Sequence, residues 1–346
     1  MEIGSEFWIE NDFFVDPAEQ FYMSGRSALN AIIMDAKSKY SIRRALLPSY
    51  CCDSIIIPFI KNDIPVRFYD VFLDDDRKLS MHIPKAEEDE LLFFMHFFGA
   101  KISRLRMDGE IQDWAAVIED QTHSFFSGFK SEINPHYTFV SFRKWFAVSG
   151  IAMAKNEAGD LPETEKTNQE YNTLRNQAFL EKSRYINGEH FNKDFFLDMF
   201  RKAEEILDED CSCYAPDPKD YQRLAKSIRN QEQMIAARRA NATVLTREIE
   251  NIEQLSVIVD FDMEKDCPMF VPIVEMTGHR TELRNYLIKN EVYCPVHWPT
   301  SSYHKELNDG VKSIYENELS LVCDQRYTPD DMKRIVRLIN EFYSVS

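Results

Sequence analysis

The chain has 346 residues, 44% hydrophobic and 13% aromatic, with only ten glycines and fourteen prolines. That excludes a disordered or low-complexity protein and leaves enough apolar surface for two domains, or for one large α/β domain with an appendage. The formal charge of −17 opposes a nucleic-acid backbone or an anionic membrane, and no basic run along the sequence offsets it.

The acidic start, "MEIGSEFWIENDFFVDP", lacks the charged and apolar regions of a secretory signal. No apolar run reaches the roughly 18 residues of a membrane span. Seven cysteines, an odd number, argue for reduced thiols over a disulfide framework. The expectation is a soluble, cytoplasmic protein with neither nucleic acid nor membrane as partner.

The first predicted element is a helix in "SALNAIIMDAK", where Leu29, Ile32, Ile33 and Ala36 share one face and Ser27 can cap the start. Extended runs follow at 44–50, 65–71, 90–98, 115–120, 137–142 and 151–155. Several are almost continuously apolar, as strands buried on both faces should be. "DSIIIPFIKND" (53–63) and "ISRLRMDGEIQDW" (102–114) are expected as intervening helices, giving a mostly parallel sheet with helical cover.

Residues 156–218 are polar, with a helical patch at 195–207 and a turn-like "CSCYAPDPKD", and no role follows from them. A helical stretch at 219–250 is expected to break near Asn230. The remainder reads as a smaller α+β unit, with strands at 255–261 and 269–276, a helix at 280–290, then "VYCPVHWP" and "LSLVCDQRY". A closing helix has Thr328 as cap and Pro329 at its first position, and buries Met332, Ile335, Val336, Ile339 and Phe342. The expected division is a large domain over 1–235 and a small one over 236–346.

Ligands of open parallel sheets bind where strands end, so the residues leaving each strand carry the chemistry. Glu119 and Asp120 end one run and lead into "QTHSF"; Ser141 ends another and leads into Arg143 and Lys144; "SGRSAL" opens the first helix. Taken singly, each has an ordinary reading, as a solvated lysine, a turn aspartate and a capped helix.

Together and in this order, "SGRSAL", "VIEDQTHSF", "SFRKW" and the later "HWP" with "LSLVCDQRYTPDDMKRIV" resemble the DegT/DnrJ/EryC1/StrS family of sugar aminotransferases. These are pyridoxal 5'-phosphate (PLP) enzymes of the aspartate aminotransferase fold, fold type I. The resemblance runs from about residue 20 to the end. It implies an α/β chain whose large domain holds a mostly parallel, seven-stranded-type sheet, followed by a smaller C-terminal α+β domain.

It also implies roles. Lys144 would bind the cofactor aldehyde, burial and the cofactor's positive ring both favouring its neutral amine. Asp120 would hold the proton on the ring nitrogen. Gly25, Arg26, Ser27 and Ser141 would receive the phosphate at a helix N-terminus, and His123 would contact the phenolic oxygen. Tyr50, Cys51 and Cys52 of "PSYCCDS" are candidates to cover the ring face, and His297 and Trp298 to line the substrate entrance.

The implied reaction exchanges an amino group between a donor, commonly glutamate, and a keto sugar, often nucleotide-linked, in a homodimer with its site at the interface. The sequence departs from the pattern in keeping only Gly150 where relatives often carry a glycine pair after the lysine. That departure motivates an alternative, a protein that keeps the fold but has lost transamination and serves in binding or regulation. A dehydratase branch has histidine in place of the lysine, which Lys144 disfavours. No metal is expected, because Cys294 with His297, Cys211 with Cys213, and Cys51 with Cys52 each lack a second ligand pair.

Overall fold

The computed structural model describes residues 3–4, 20–189, 192–304 and 307–345. Glu90–Met95, the most apolar extended run, is buried at every position and lies in the middle of a nine-stranded sheet. Across that sheet the order is Phe21–Tyr22, Ala152–Asn156, Tyr137–Ser141, Ala116–Asp120, Glu90–Met95, Arg44–Pro48, Val66–Leu73, Leu79–Ile83 and Leu105–Met107. The five strands from Tyr137–Ser141 to Val66–Leu73 pair in parallel, so their carboxyl ends share one edge. Ala152–Asn156 runs antiparallel beside them, with Ala152 opposite Ser141.

The expected helix over 102–114 is a correction. Leu105–Met107 is instead an edge strand pairing in parallel with Leu79–Ile83, and only the short turn Ile111–Asp113 is helical. In Leu105, Arg106 and Met107 the central residue is exposed and its neighbours are half-buried, a period of two that suits a sheet edge.

The first helix, Gly25–Lys39, is capped by Ser24 and not by Ser27: the Ser24 Oγ accepts the N–H of Ser27 at 3.1 Å. Gln169–Ile186 and Lys193–Glu209 fill much of the stretch that had no expected role. A short parallel pair, Glu165–Thr167 with Tyr214–Ala215, returns that stretch to the sheet, where the N–H of Met23 donates to the Tyr214 carbonyl at 2.8 Å. The helical break falls at Asn230, between Pro218–Arg229 and Gln231–Ile249.

A second sheet is antiparallel, with Phe270–Glu275 between Leu255–Val257 and Glu318–Val322. Its own core joins Leu245, Val271, Leu283, Leu321, Met332 and Ile335, which come from that sheet and from the helices Gln231–Ile249, Arg280–Lys289 and Pro329–Val345. Thr328 and Asp331 cap the last helix reciprocally, the N–H of Thr328 reaching the Asp331 carboxylate at 2.9 Å. Among the described residues no helix is long and apolar enough to cross a membrane.

Candidate active site

Asp120 and Ser141 are the last residues of strands that lie side by side, and the turn Phe142–Lys144 brings Lys144 to the same edge. A cavity of about 470 Å³ opens there. Of the residues expected at the site, Gly25, Arg26, Cys52, Asp120, His123, Ser141, Lys144 and Trp298 line it. Ser27, Tyr50, Cys51 and His297 do not.

Asp120 is 5% exposed. Burial pushes its pKa up to about 6, against the lowering effect of hydrogen bonds from Thr122 and of the Lys144 charge. Its carboxylate accepts the N–H of Thr122 at 2.7 Å. Glu119 is buried with its own partner, the Gln121 side-chain amide at 3.2 Å.

Thr122 was not singled out in the sequence, yet it joins the site together. Besides holding Asp120, its Oγ1 accepts the N–H of Ser141 at 3.1 Å, and its carbonyl accepts the Trp145 indole N–H at 2.7 Å. One residue therefore ties both strand ends to the lysine turn. The local signal was the Asp-x-Thr spacing after a strand, where an aspartate commonly accepts the N–H two residues on.

The helix N-terminus comes close to Ser141 because residue 25 has no side chain. A Cβ there would lie 3.2 Å from the Ser141 Cβ and 3.5 Å from its Oγ. The first-turn N–H groups, the dipole and the hydroxyls of Ser24 and Ser141 thus converge, as an anion requires. Ser24, unforeseen in that place, lines the cavity, whereas the fully buried Ser27 turns its hydroxyl to the Ser24 Oγ at 3.0 Å.

The stretch 156–220 braces these parts. From Lys193–Glu209, Asp208 pairs with Arg26 at 2.7 Å, and Glu204 receives a two-pronged bond from Arg143 with Arg26 and Arg175 each at 3.6 Å. Burial alone would raise the Glu204 pKa, but Arg143 and the other two guanidiniums hold it well below the usual carboxylate range. Asp220 accepts the N–H groups of Ser149 at 3.0 Å and Gly150 at 2.9 Å, as well as the Ser149 hydroxyl, while the Tyr171 hydroxyl donates to the Ser149 carbonyl at 2.6 Å. Gly150 is required there, since a Cβ would stand 2.4 Å from the Met23 carbonyl oxygen and 2.9 Å from the Tyr171 ring.

The Nδ1 of His123 accepts the N–H of Phe98 at 3.1 Å, so its proton is on Nε2. Burial pushes its pKa down to about 3, which keeps the ring neutral. Trp298 stacks on it, with centroids 5.9 Å apart and planes at 27°. Trp298, with His123 and Phe139, thus presents a flat group to the cavity. Tyr50, a candidate for that place, packs instead among Phe97, Trp298 and Tyr315 and is fully buried. Cys51 is likewise buried, and of the three only Cys52 reaches the cavity.

Two further placements concern the lysine and the expected entrance. Lys144 is exposed in the single chain. His297 lines a second cavity on the other side of Lys144, held by its own N–H to Glu318 at 2.7 Å and by Ser320 Oγ 2.8 Å from Nδ1. Among the described residues there is no cluster of three or more His, Cys, Asp or Glu that could hold a metal.

No protein-family model matches the sequence, and no curated protein does. Solved structures match over nearly the whole chain. PseC of Helicobacter pylori, an aminotransferase involved in the biosynthesis of pseudoaminic acid, superposes with a TM-score of 0.63 at 12% identity, covering 94% of this chain and 86% of that one. The sugar aminotransferase CalS13 from Micromonospora echinospora gives 0.61 at 10% identity, over 93% and 86%. A DegT DnrJ EryC1 StrS aminotransferase from Brucella abortus gives 0.58 at 12% identity, over 93% and 85%. At such identities the likeness is one of architecture, and by that measure the chain has the fold of the DegT/DnrJ/EryC1/StrS aminotransferases.

Proposed function

We propose that the chain is a PLP-dependent aminotransferase that moves an amino group, commonly from glutamate, to a keto sugar, often nucleotide-linked. We place it in the cytoplasm as a homodimer with its site at the interface, built from a large domain over 1–235 and a small one over 236–346. One observation carries the reading: a buried carboxylate, an N-terminal helix turn flanked by hydroxyls, and a lysine face the same 470 Å³ cavity at the carboxyl edge of the parallel sheet.

The residues present fit the cofactor. The gap that the missing Cβ of Gly25 leaves beside Ser141 gives a phosphate N–H and hydroxyl donors from Ser24, Gly25 and Ser141, with Ser27 steadying Ser24. Arg26 is spent on Asp208 and Glu204 and contributes the helix start more than a free charge. Bound PLP would supply an aldehyde to take up the amino group and a ring that withdraws electrons from the substrate carbon.

Asp120 would hold a proton on the ring nitrogen of bound PLP, since a carboxylate forced into a buried place gains most from a cationic N–H partner. Thr122 keeps that carboxylate aimed. With PLP in place, the Nζ of Lys144 would be the group that takes the proton from the substrate carbon and gives it back. His123, neutral with its proton on Nε2, would be a donor for the phenolic oxygen, and Trp298 lines the same cavity as a flat group for the ring. The exposure of Lys144 in one chain supports a site completed by a second copy.

The test is optical and chemical. Purified protein supplied with PLP should turn yellow, lose that colour with L-glutamate, and after borohydride reduction carry the cofactor on the peptide containing Lys144. Labelling at another lysine, or none, would overturn the assignment.

A further inference from the structure

The rings of His123 and His297 lie with centroids 6.1 Å apart, and the charge of Lys144 reaches both. Their hydrogen bonds set them in opposite tautomers. His123 accepts at Nδ1 and carries its proton on Nε2. At His297 the partner of Nδ1 is the Ser320 hydroxyl, 2.8 Å away, and that hydroxyl already donates to Glu318 Oε1 at 2.6 Å. Ser320 therefore has a lone pair to offer, so Nδ1 of His297 carries the proton and Nε2 is left as an acceptor.

The backbone brings the three groups into a line. Glu318 and Ser320 stand two residues apart on the strand Glu318–Val322, so their side chains share a face, and Glu318 Oε2 accepts the N–H of His297 at 2.7 Å. Glu318 and Ser320 are fully buried, whereas His297 lines the cavity that Lys144 borders. The titratable groups around Glu318 are Tyr50, Cys294 and Arg280, of which the Arg280 charge favours the carboxylate.

Burial outweighs that charge and the hydrogen bonds, and pushes the Glu318 pKa up to about 8. Burial also holds His297 well below the usual imidazole range, with His123 and Lys144 adding to the effect. A proton reaching His297 is thus not kept there as an imidazolium, and Glu318 is the place for it to rest.

We propose that His297, Ser320 and Glu318 form a proton relay for the amine of the incoming donor. Nε2 of His297 takes the proton that an ammonium must lose before its nitrogen can react, the Nδ1 proton passes to the Ser320 oxygen, and the Ser320 proton passes to Glu318 Oε1. One proton enters, the imidazole ends neutral with its N–H on Nε2, and the reverse sequence returns the proton when the product amine leaves. Ser320 and Glu318 are positioning residues that act through His297. The proposal rests on Lys144 being the cofactor lysine, since that is what brings an amine to this place.

Nitrogen NMR of the full-length, cofactor-free chain, labelled in its histidine rings and assigned with His297→Gln, tests the relay. As pH rises from about 6 to about 10, the His297 proton should move from Nε2 to Nδ1 without an imidazolium stage, as Glu318 gives up its proton. Glu318→Gln should abolish that response, and so should Ser320→Ala, which cuts the bridge but leaves the carboxylate. In the PLP-loaded protein, Glu318→Gln should lower kcat/KM for L-glutamate about a hundredfold near pH 9 and flatten its rise with pH, with part of both restored in Glu318→Asp and the labelling of Lys144 unchanged.

A His297 tautomer that ignores pH in the parent, or that still responds in Glu318→Gln, overturns the proposal even where Lys144 is labelled. A tautomer shift that depends on Glu318, in a protein whose Lys144 takes no label, upholds the relay and removes the cofactor reading alone.

Discussion

The two cavities that meet at Lys144 handle positive charge in opposite ways. On the side of the large sheet, Arg143 is answered by Glu204 and Arg26 by Glu204 and Asp208, so these guanidiniums act as braces, and a helix N-terminus, the hydroxyls of Ser24 and Ser141 and the buried Asp120 are left to receive a ligand. On the side of the small sheet, Arg238 is hydrogen-bonded to neutral groups with the Asp324 charge acting on it through space, and the half-buried Arg284 reaches the Cys294 carbonyl. The lesson is that the count of charges around a cavity says little until each is matched against its partners, because a guanidinium locked into a carboxylate is structure, whereas one bonded to neutral groups keeps more of its charge to offer.

The sharpest way to break the comparison is to remove Lys144, which with Arg143 lines both cavities. Lys144→Ala should end borohydride fixation of PLP and lower transamination by at least about a thousandfold, from loss of both covalent attachment and proton transfer. Fixation that survives the change would show that the two cavities do not serve one reaction.

Asp120→Asn should separate stability from function. The unfolded side chain ionises near 3.8, whereas in the fold burial moves the pKa up to about 6. The folded state thus favours the protonated acid, and stability falls as pH rises from about 4 to about 6, then stays at the lower level. The cofactor-free Asp120→Asn chain should consequently be more stable than the parent at pH 8, by as much as about 3 kcal/mol, with the gain vanishing below about pH 4. Melting temperatures across pH check this. Activity should fall roughly a hundredfold, because an amide cannot hold the ring-nitrogen proton.

Glu204→Gln tests the braces themselves. Its side chain is 34% exposed, so the loss is discounted for solvent to about 1–2 kcal/mol, read in denaturant titration together with weaker PLP binding as Arg143 and Arg26 are released. An unchanged midpoint would mean that these pairs carry no weight.

Gly25→Ala should have the smallest effect. An added Cβ at 3.2 Å from the Ser141 Cβ needs only a few tenths of an ångström of yielding, so the melting temperature should hardly move. PLP affinity should drop about tenfold as the hydroxyl and the helix end are pushed apart, and equilibrium binding would show it.

Much of this was readable without coordinates. Strands such as Glu90–Met95 and Ala116–Asp120 declare themselves by unbroken apolar runs, and Thr328 with Pro329 marks a helix start through side-chain chemistry that acts within four residues. The ordered spacing of "SGRSAL", Asp120, His123, Ser141 and Lys144 pointed to one cavity edge because parallel strands always deliver their ends to the same side. The misses also have local causes. Leu105–Met107 is too short for its alternation to stand out, and Ser27 was chosen as cap because Ser24 offers the same chemistry three residues earlier.

What the sequence by itself determined is therefore whatever depends on neighbours along the chain: the strand and helix periods, the caps and the order of the site segments. Tertiary structure alone decided that Thr122 would join three parts of the site, that Trp298 and not Tyr50 would face the cavity, and that Arg143, Arg238, Arg284 and Arg326 would gather in an acidic protein with no basic run. Those residues come from segments scores of positions apart. Packing, which answers to shape and desolvation in three dimensions, leaves no periodic trace of such meetings in the order of the amino acids.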